Sequence, residues 1–303
     1  MKILILGSDG FVGQNLLEDL SPHFNCFGST RKKAKLQQQN KLLYFDLLHE
    51  DSWSSLIALQ PDCVINCIVN GAVKKAEDIK HAIDLNYLST VKFYEFLSMQ
   101  LPQAYLIHFG TAFEYDLHAN ALTEATETNP QTYYGISKLL ASNFLLSRAF
   151  VKNFTIIRPF NLFGPYDKEG KIIPHLISAQ RDKIPIALSA GLQGRDYFYV
   201  KDISTIIKYL ISHISSSPKI INAGSGHPIM LKEIANTIAH HIPDLDPSLW
   251  QWDKLPYRDG EGRSFYNAST LLKEKGITLS GFEEAIKTTV AYYCGKKQMN
   301  IVC

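Results

Sequence analysis

The chain has 303 residues, 46% of them hydrophobic and 20% charged, and a formal net charge of +2. That length buries a large core as one domain or two unequal ones, and the near-neutral balance carries none of the basic bias of a nucleic-acid or membrane-surface binder. The apolar opening run, Ile3 to Leu6, stops at Gly7 and is too short for a secretory leader or a bilayer span, so a cytoplasmic protein is expected. The five cysteines (Cys26, Cys63, Cys67, Cys294, Cys303) are odd in number and lack metal-ligand spacing. Buried or incidental thiols are expected, and the scattered histidines suggest no metal site.

Lys2 to Leu6 reads as a short buried strand, and Gly7-Ser-Asp-Gly10-Phe-Val-Gly13 runs from it into a helical stretch, Phe11 to Leu20. Strand, glycine turn and helix in that order suit a dinucleotide pyrophosphate, because glycine permits close backbone approach and a helix N-terminus offers free N–H groups. A tight loop would use the same glycines. The next strand, Phe24 to Gly28, leads to Ser29-Thr30-Arg31-Lys32-Lys33. In a dinucleotide fold an acidic residue here would hold the adenosine ribose; none follows the strand, and Arg31 suits the extra phosphate of NADP. Lys32, Lys33 and Lys35 read as a solvated charge run.

Strands are expected at Leu42 to Phe45, Cys63 to Ile68, Ala104 to Phe109 and Phe154 to Ile157, with helices between them, including a long one from Lys74 to Leu101 that carries Asn86. This alternation predicts a doubly wound parallel sheet. Thr111 follows the fifth strand, where ligands of such sheets bind, and its hydroxyl could hydrogen-bond a substrate oxygen. Next comes Gln131-Thr-Tyr-Tyr-Gly-Ile-Ser-Lys138, opening a helical run to about Phe150. Tyr134 and Lys138 stand four apart and share a helical face. A nearby ammonium favours the phenolate and would bring the hydroxyl toward acid/base work. An amphipathic core helix with a surface lysine would show the same pattern.

Taken in order, these segments resemble the extended short-chain dehydrogenase/reductase family, in particular its NAD(P)-dependent nucleotide-sugar epimerase, dehydratase and reductase branch. The marks are G-S-D-G-F-V-G, Asp46-Leu47, Asn86, T-A-F-E-Y from Thr111 and Y-G-I-S-K from Tyr134. Later marks are R-P-F-N-L-F-G-P from Arg158, G-R-D-Y-F-Y-V-K-D from Gly194, I-N-A-G-S-G from Ile221 and Arg258-Asp-Gly. The resemblance implies a Rossmann fold, an α/β doubly wound parallel sheet with a smaller C-terminal substrate-binding lobe. It implies that Gly7, Gly10 and Gly13 receive the pyrophosphate, with Phe11 and Leu47 also lining the cofactor site, and that Asp46 meets the adenine. Lys138 would hold the nicotinamide ribose while lowering the pKa of Tyr134. Tyr134 would exchange a proton with the sugar oxygen that Thr111 polarises. Asn161, Arg195 and Arg258 match positions that hold the diphosphate of a nucleotide sugar, a task suited to the planar guanidinium fork; for both arginines an exposed charge is the plain alternative.

Departures from the family pattern narrow the reaction. Where 4,6-dehydratases carry an Asp-Glu pair after the threonine, this chain has Ala112 and Phe113, so dehydration is not expected and Glu114 should point differently. Where the epimerase-reductases that make GDP-fucose carry a cysteine and a histidine, it has Phe113 and Lys171. Two enzymes remain: an NADPH-dependent reductase of a nucleotide-linked 4-keto-6-deoxyhexose, favoured by Arg31, and an NAD-dependent 4-epimerase. A non-enzymatic dinucleotide sensor is the reading from another class. Residues 1–160, with return segments near 196–223, are expected to form the NAD(P)-binding domain, and 161–195 with 224–303 the nucleotide-sugar lobe. In that lobe helices are expected at Ile172 to Arg181, Leu231 to His241 and Phe282 to Tyr293. The resemblance also implies a homodimer packed through the Lys74 and Tyr134 helices and no membrane or nucleic-acid partner.

Overall fold

The computed structural model describes residues 1–37, 41–71, 76–147, 152–256 and 264–299. At its centre is a parallel sheet of seven strands: β1 (Lys2–Leu6), β2 (Asn25–Thr30), β3 (Leu42–Tyr44), β4 (Cys63–Asn66), β5 (Tyr105–Phe109), β6 (Phe154–Pro159) and β7 (Ile220–Ala223). Their order is β7-β6-β5-β4-β1-β2-β3, and every neighbouring pair is parallel. The chain leaves β1 toward β2 on one side and later returns to β4 on the other. That reversal of winding opens a crevice at the carboxyl ends of β1 and β4, the ligand position in open α/β sheets.

The strands are largely buried because both faces of the sheet are covered, and β1 is apolar from Ile3 to Leu6. Ile3 and Ile5 of β1 pack, fully buried, with Leu16 and Leu20 of α1 (Phe11–Leu20) and with Ile203, Ile207 and Leu210 of the helix Asp202–Ser212. Leu4 and Leu6 face the other way, into Trp53, Phe93, Tyr94 and Leu145. A third apolar cluster joins Phe163, Leu176, Ile177 and Trp250 to Ile286 and Tyr293 of the last helix, Phe282–Met299.

The sheet elements appear within a few residues of the expected positions, with one informative exception. The long helix is interrupted: Ala76–Ile83 is α-helical, Asp84–Ser89 is a π-turn and Thr90–Gln100 is α-helical again. Such turns concentrate at functional sites, and this one carries the buried Asn86. No helix of the described residues is long and apolar enough to cross a membrane.

Candidate active site

The glycine turn is built for close approach. A Cβ at Gly13 would stand 2.3 Å from the Gly7 carbonyl oxygen, so only glycine lets α1 start so tightly against β1. The N-cap of α1, Gly10, makes no side-chain cap, so the first helical N–H groups lack a capping acceptor. That is the donor set a pyrophosphate requires. Phe11 opens the helix, half-buried.

At the far edge of the sheet, Arg31 is exposed just beyond β2. Asp46 is partly committed to its own turn: one carboxylate oxygen accepts from the Leu48 amide at 3.1 Å and the other lies 3.1 Å from His49 Nδ1. Leu47 is buried among Phe45, Trp53 and Phe93, inside the core. Two expectations at this edge need correcting. A carboxylate does reach the end of β2, from Asp9 of the glycine turn, which accepts from Thr30 Oγ1 and Lys35 Nζ, both at 2.5 Å. Lys35 is therefore an ion-pair partner rather than simply a solvated charge.

Thr111, 4% exposed, ends the segment after β5 as the N-cap of a short turn. Its Oγ1 accepts from the Phe113 amide at 3.3 Å, and its own amide donates to Glu114 Oε1 at 3.0 Å. The helix carrying Tyr134 and Lys138, Tyr133–Ser147, is pressed onto this turn through Gly135, where a Cβ would stand 2.3 Å from the Phe113 carbonyl. Thr132 secures the helix start, its Oγ1 accepting from the Gly135 amide at 3.0 Å. Tyr134 is thereby brought against the Thr111 hydroxyl, with the Phe113 ring edge-on at 6.4 Å.

The opposite wall is fixed by Asn86, whose side chain bonds both backbone groups of Asn70 (2.8 and 2.9 Å) and donates to Ser137 Oγ at 3.0 Å. The loop after β4 is thus fastened to the Tyr134 helix. An extra residue in the π-turn aims Asn86 at both partners, and no local sequence pattern marks Asn70 or Ser137 as belonging here.

The electrostatics differ from expectation at one point. Desolvation pushes the Tyr134 phenol up to about 12; hydrogen bonding to Thr111 opposes this and the Glu114 charge adds to it. Lys138 is not what governs the phenol in the protein alone: its own ammonium is only 2% exposed, and burial brings it down to about 8 against the upward pull of Glu114 and Cys67. It makes no hydrogen bond to a described residue. A buried ammonium without acceptors calls for hydroxyl partners, and the ribose of a dinucleotide supplies them. The residues present therefore fit such a cofactor at both ends.

Glu114 was missed as a site residue, and it does point away from the pocket. Its carboxylate is fully buried, bridging the Thr111 amide and Arg158 Nε (2.8 Å). The Arg158 guanidinium lies 4.5 Å from the Tyr115 ring, and Tyr115 donates to Asn222 Oδ1 at 2.8 Å. On the substrate side, Phe265 links the two halves of the site: its ring meets Phe113 at 5.8 Å and carries the Arg195 guanidinium at 4.9 Å. Asn161 donates from Nδ2 to the carbonyl of Asp196, next to Arg195, at 3.1 Å. Arg258 lies outside the described residues. No cluster of metal-ligating side chains occurs among the described residues.

Comparison with known proteins places this geometry in context. The family model for the NAD dependent epimerase/dehydratase family matches residues 3–224. GDP-6-deoxy-D-talose 4-dehydrogenase of Aggregatibacter actinomycetemcomitans is 26% identical over 237 residues, 76% of each protein. UDP-glucose 4-epimerase of Thermus thermophilus, solved in complex with NAD, superposes with a TM-score of 0.82 at 20% identity, covering 97% of this chain and 99% of that one. RMD from Pseudomonas aeruginosa, solved complexed with NADPH, superposes with a TM-score of 0.82 at 20% identity and the same coverage.

Proposed function

We propose that this chain, which belongs to the NAD dependent epimerase/dehydratase family, is a nicotinamide-dependent oxidoreductase of nucleotide-activated sugars that reduces a 4-keto-6-deoxyhexose at C4. The observation that carries this reading is the packing of Tyr134 against Thr111 beside a buried Lys138 that makes no hydrogen bond to a described residue, with Ala112 and Phe113 in the places where an eliminating acid/base pair would stand. The similarity to a 4-dehydrogenase of a GDP-linked 6-deoxysugar supports the substrate class.

The family resemblance and the geometry together support the following roles. Bound NAD(P)H would supply the hydride. Gly7, Gly10, Phe11 and Gly13 would seat its pyrophosphate at α1, with Asp46 and Leu47 near the adenine and Arg31 beside the ribose. Lys138 would give its ammonium to the nicotinamide ribose hydroxyls, regaining the hydrogen bonds burial denies it. Tyr134, whose phenol desolvation holds up to about 12 in the protein alone and which is therefore protonated at neutral pH, would donate a proton to the sugar oxygen. Thr111 would hydrogen-bond the same oxygen as its charge changes. Asn161, Arg195 and Arg258 would hold the diphosphate. Residues 1–160 with 196–223 make the dinucleotide half, and the remainder makes the sugar half. A homodimer through the Tyr133–Ser147 helix fits its exposed Tyr133, Ile136 and Leu140.

NADPH is the favoured form because Arg31, Lys32 and Lys33 are exposed around the end of β2. The test is NADPH oxidation with a panel of nucleotide-linked 4-keto-6-deoxyhexoses, with NADH and Tyr134→Phe as controls. Oxidation that prefers NADPH and falls by roughly 10²–10⁴-fold in the variant supports the reductase. Interconversion of NDP-hexoses on protein holding NAD would establish the epimerase instead, and tight dinucleotide binding without turnover would establish a sensor.

A further inference from the structure

The ribose end of the dinucleotide site holds a charge arrangement that the strand sequence hides. In this fold the carboxyl end of β2 carries either an acid for the ribose 2′-hydroxyl or a base for a 2′-phosphate. From Gly28 to Lys35 the chain has no acid, only Arg31, Lys32, Lys33 and Lys35. Asp9 reaches the spot from the glycine turn. Thr30 Oγ1, the last side chain of β2, donates to Asp9 Oδ2, and Lys35 Nζ donates to Asp9 Oδ1, each at 2.5 Å.

The arrangement is held firmly from both sides. Gly7 N donates to Ser29 Oγ and Ser8 Oγ to the Ser29 carbonyl, both at 2.9 Å, which ties the turn to the end of β2. Thr30 Oγ1 also accepts from the Lys32 amide at 3.0 Å, so its hydroxyl hydrogen is left for Asp9. Burial works against the Asp9 charge, but the Lys35 and Thr30 hydrogen bonds outweigh it and hold the carboxyl below the usual range. The side chains of Asp9 and Lys35 keep 31% and 42% of their surface open to solvent, so a ligand can reach both.

Resting on the cofactor reading above, we propose that Asp9 is the specificity-determining residue of the adenosine ribose site. Its carboxylate accepts from the 2′-hydroxyl of NAD(H), whereas a 2′-phosphate is seated only by drawing Lys35 away from Asp9. One ion pair thus sets the balance between the two cofactors: Arg31, Lys32 and Lys35 attract the phosphate, and Asp9 repels it and competes for Lys35. In the wild-type protein Asp9 thereby limits the preference for NADP(H) that the basic side chains create.

Removing the Asp9 charge should move the two affinities in opposite directions. Isothermal titration of NAD⁺, NADP⁺ and the fragments 5′-ADP and 2′,5′-ADP into wild type, Asp9→Asn and Lys35→Met reads this without turnover. For Asp9→Asn the expected result is NADP⁺ and 2′,5′-ADP tighter, and NAD⁺ weaker, each by roughly tenfold, the scale of one charge-assisted hydrogen bond. Lys35→Met, a change on the exposed side of the pair, should weaken NADP⁺ and 2′,5′-ADP by roughly tenfold and leave 5′-ADP within twofold. Parallel loss of both dinucleotides in Asp9→Asn, with Lys35→Met not discriminating between the fragments, would overturn the proposal and leave Asp9 as a brace of the turn. Wild-type protein that binds neither dinucleotide would overturn the cofactor reading itself, and this proposal with it.

Discussion

Glu114 and Arg158 meet at 2.8 Å with 0% and 2% of their side-chain surface exposed, and the other carboxylate oxygen of Glu114 holds the amide of Thr111. A pair so fully desolvated is a poor source of stability but a costly one to break, because either partner alone is a buried charge. Glu114→Ala should therefore destabilise the fold by about 3–5 kcal/mol. The paired change to Glu114→Val and Arg158→Met should recover most of that stability. Activity should not return with it, because the Thr111 turn has lost its anchor. Denaturant melts and kcat across the cycle check this; recovery of both together would make the pair merely structural.

Gly135 sets the distance between the Tyr134 helix and the Thr111 turn. A methyl group there would stand 2.3 Å from the Phe113 carbonyl, so the helix must shift. Gly135→Ala, otherwise a change that favours helix, should lower kcat by roughly a hundredfold or more, since about 1 Å of misplacement is enough to do so. Far-UV circular dichroism should show the fold retained. Unchanged kcat would mean that the Thr111 and Tyr134 hydroxyls need not be held together.

Lys138 predicts how dinucleotide binding varies with pH. Burial brings its ammonium down to about 8 in the free protein, and the charged form is the one that would meet the ribose. Binding should be independent of pH below about 8 and weaken above it, by at most tenfold per unit. Lys138→Met should bind weakly with no such dependence. Fluorescence titration from pH 6 to 10 measures both, and a flat wild-type profile would contradict the assignment.

Asp167 carries a penalty of opposite character. Desolvation raises its carboxyl to about 6, against hydrogen bonding from the Lys168 amide and the charges of Lys171 and Lys168. A raised acid costs the folded state stability above its folded pKa, and the cost fades as pH falls from about 6 to the unfolded value near 4. Asp167→Asn should therefore stabilise the protein by about 3 kcal/mol at pH 8 and by little at pH 4. Melting temperatures at the two pH values test this.

What could be read from the chain alone was what acts over short distances. The apolar run before Gly7, the glycine spacing and the four-residue interval from Tyr134 to Lys138 each specify geometry within a turn or two of backbone, and the structure matches them. The partners of Glu114 and Asp9 could not be read, because Arg158 and Lys35 lie 44 and 26 residues further along and meet them only through the sheet order and a short helical turn. The π-turn at Asn86 escaped for a different reason: an extra residue inserted mid-helix shifts the phase of the apolar pattern without breaking it. Lys138 could be placed on its helix face but its isolation could not be foreseen, since burial is a property of the packed core.

The fate of a single hydride tests the central claim most directly. With NADPH deuterated at the transferring position and a nucleotide-linked 4-keto-6-deoxyhexose, the account predicts one deuterium at C4 of the product for each NADP⁺ released, and almost none with Tyr134→Phe. No net NADPH oxidation, with NDP-hexose epimers interconverting while the C4 hydrogen stays in the sugar pool, would contradict it.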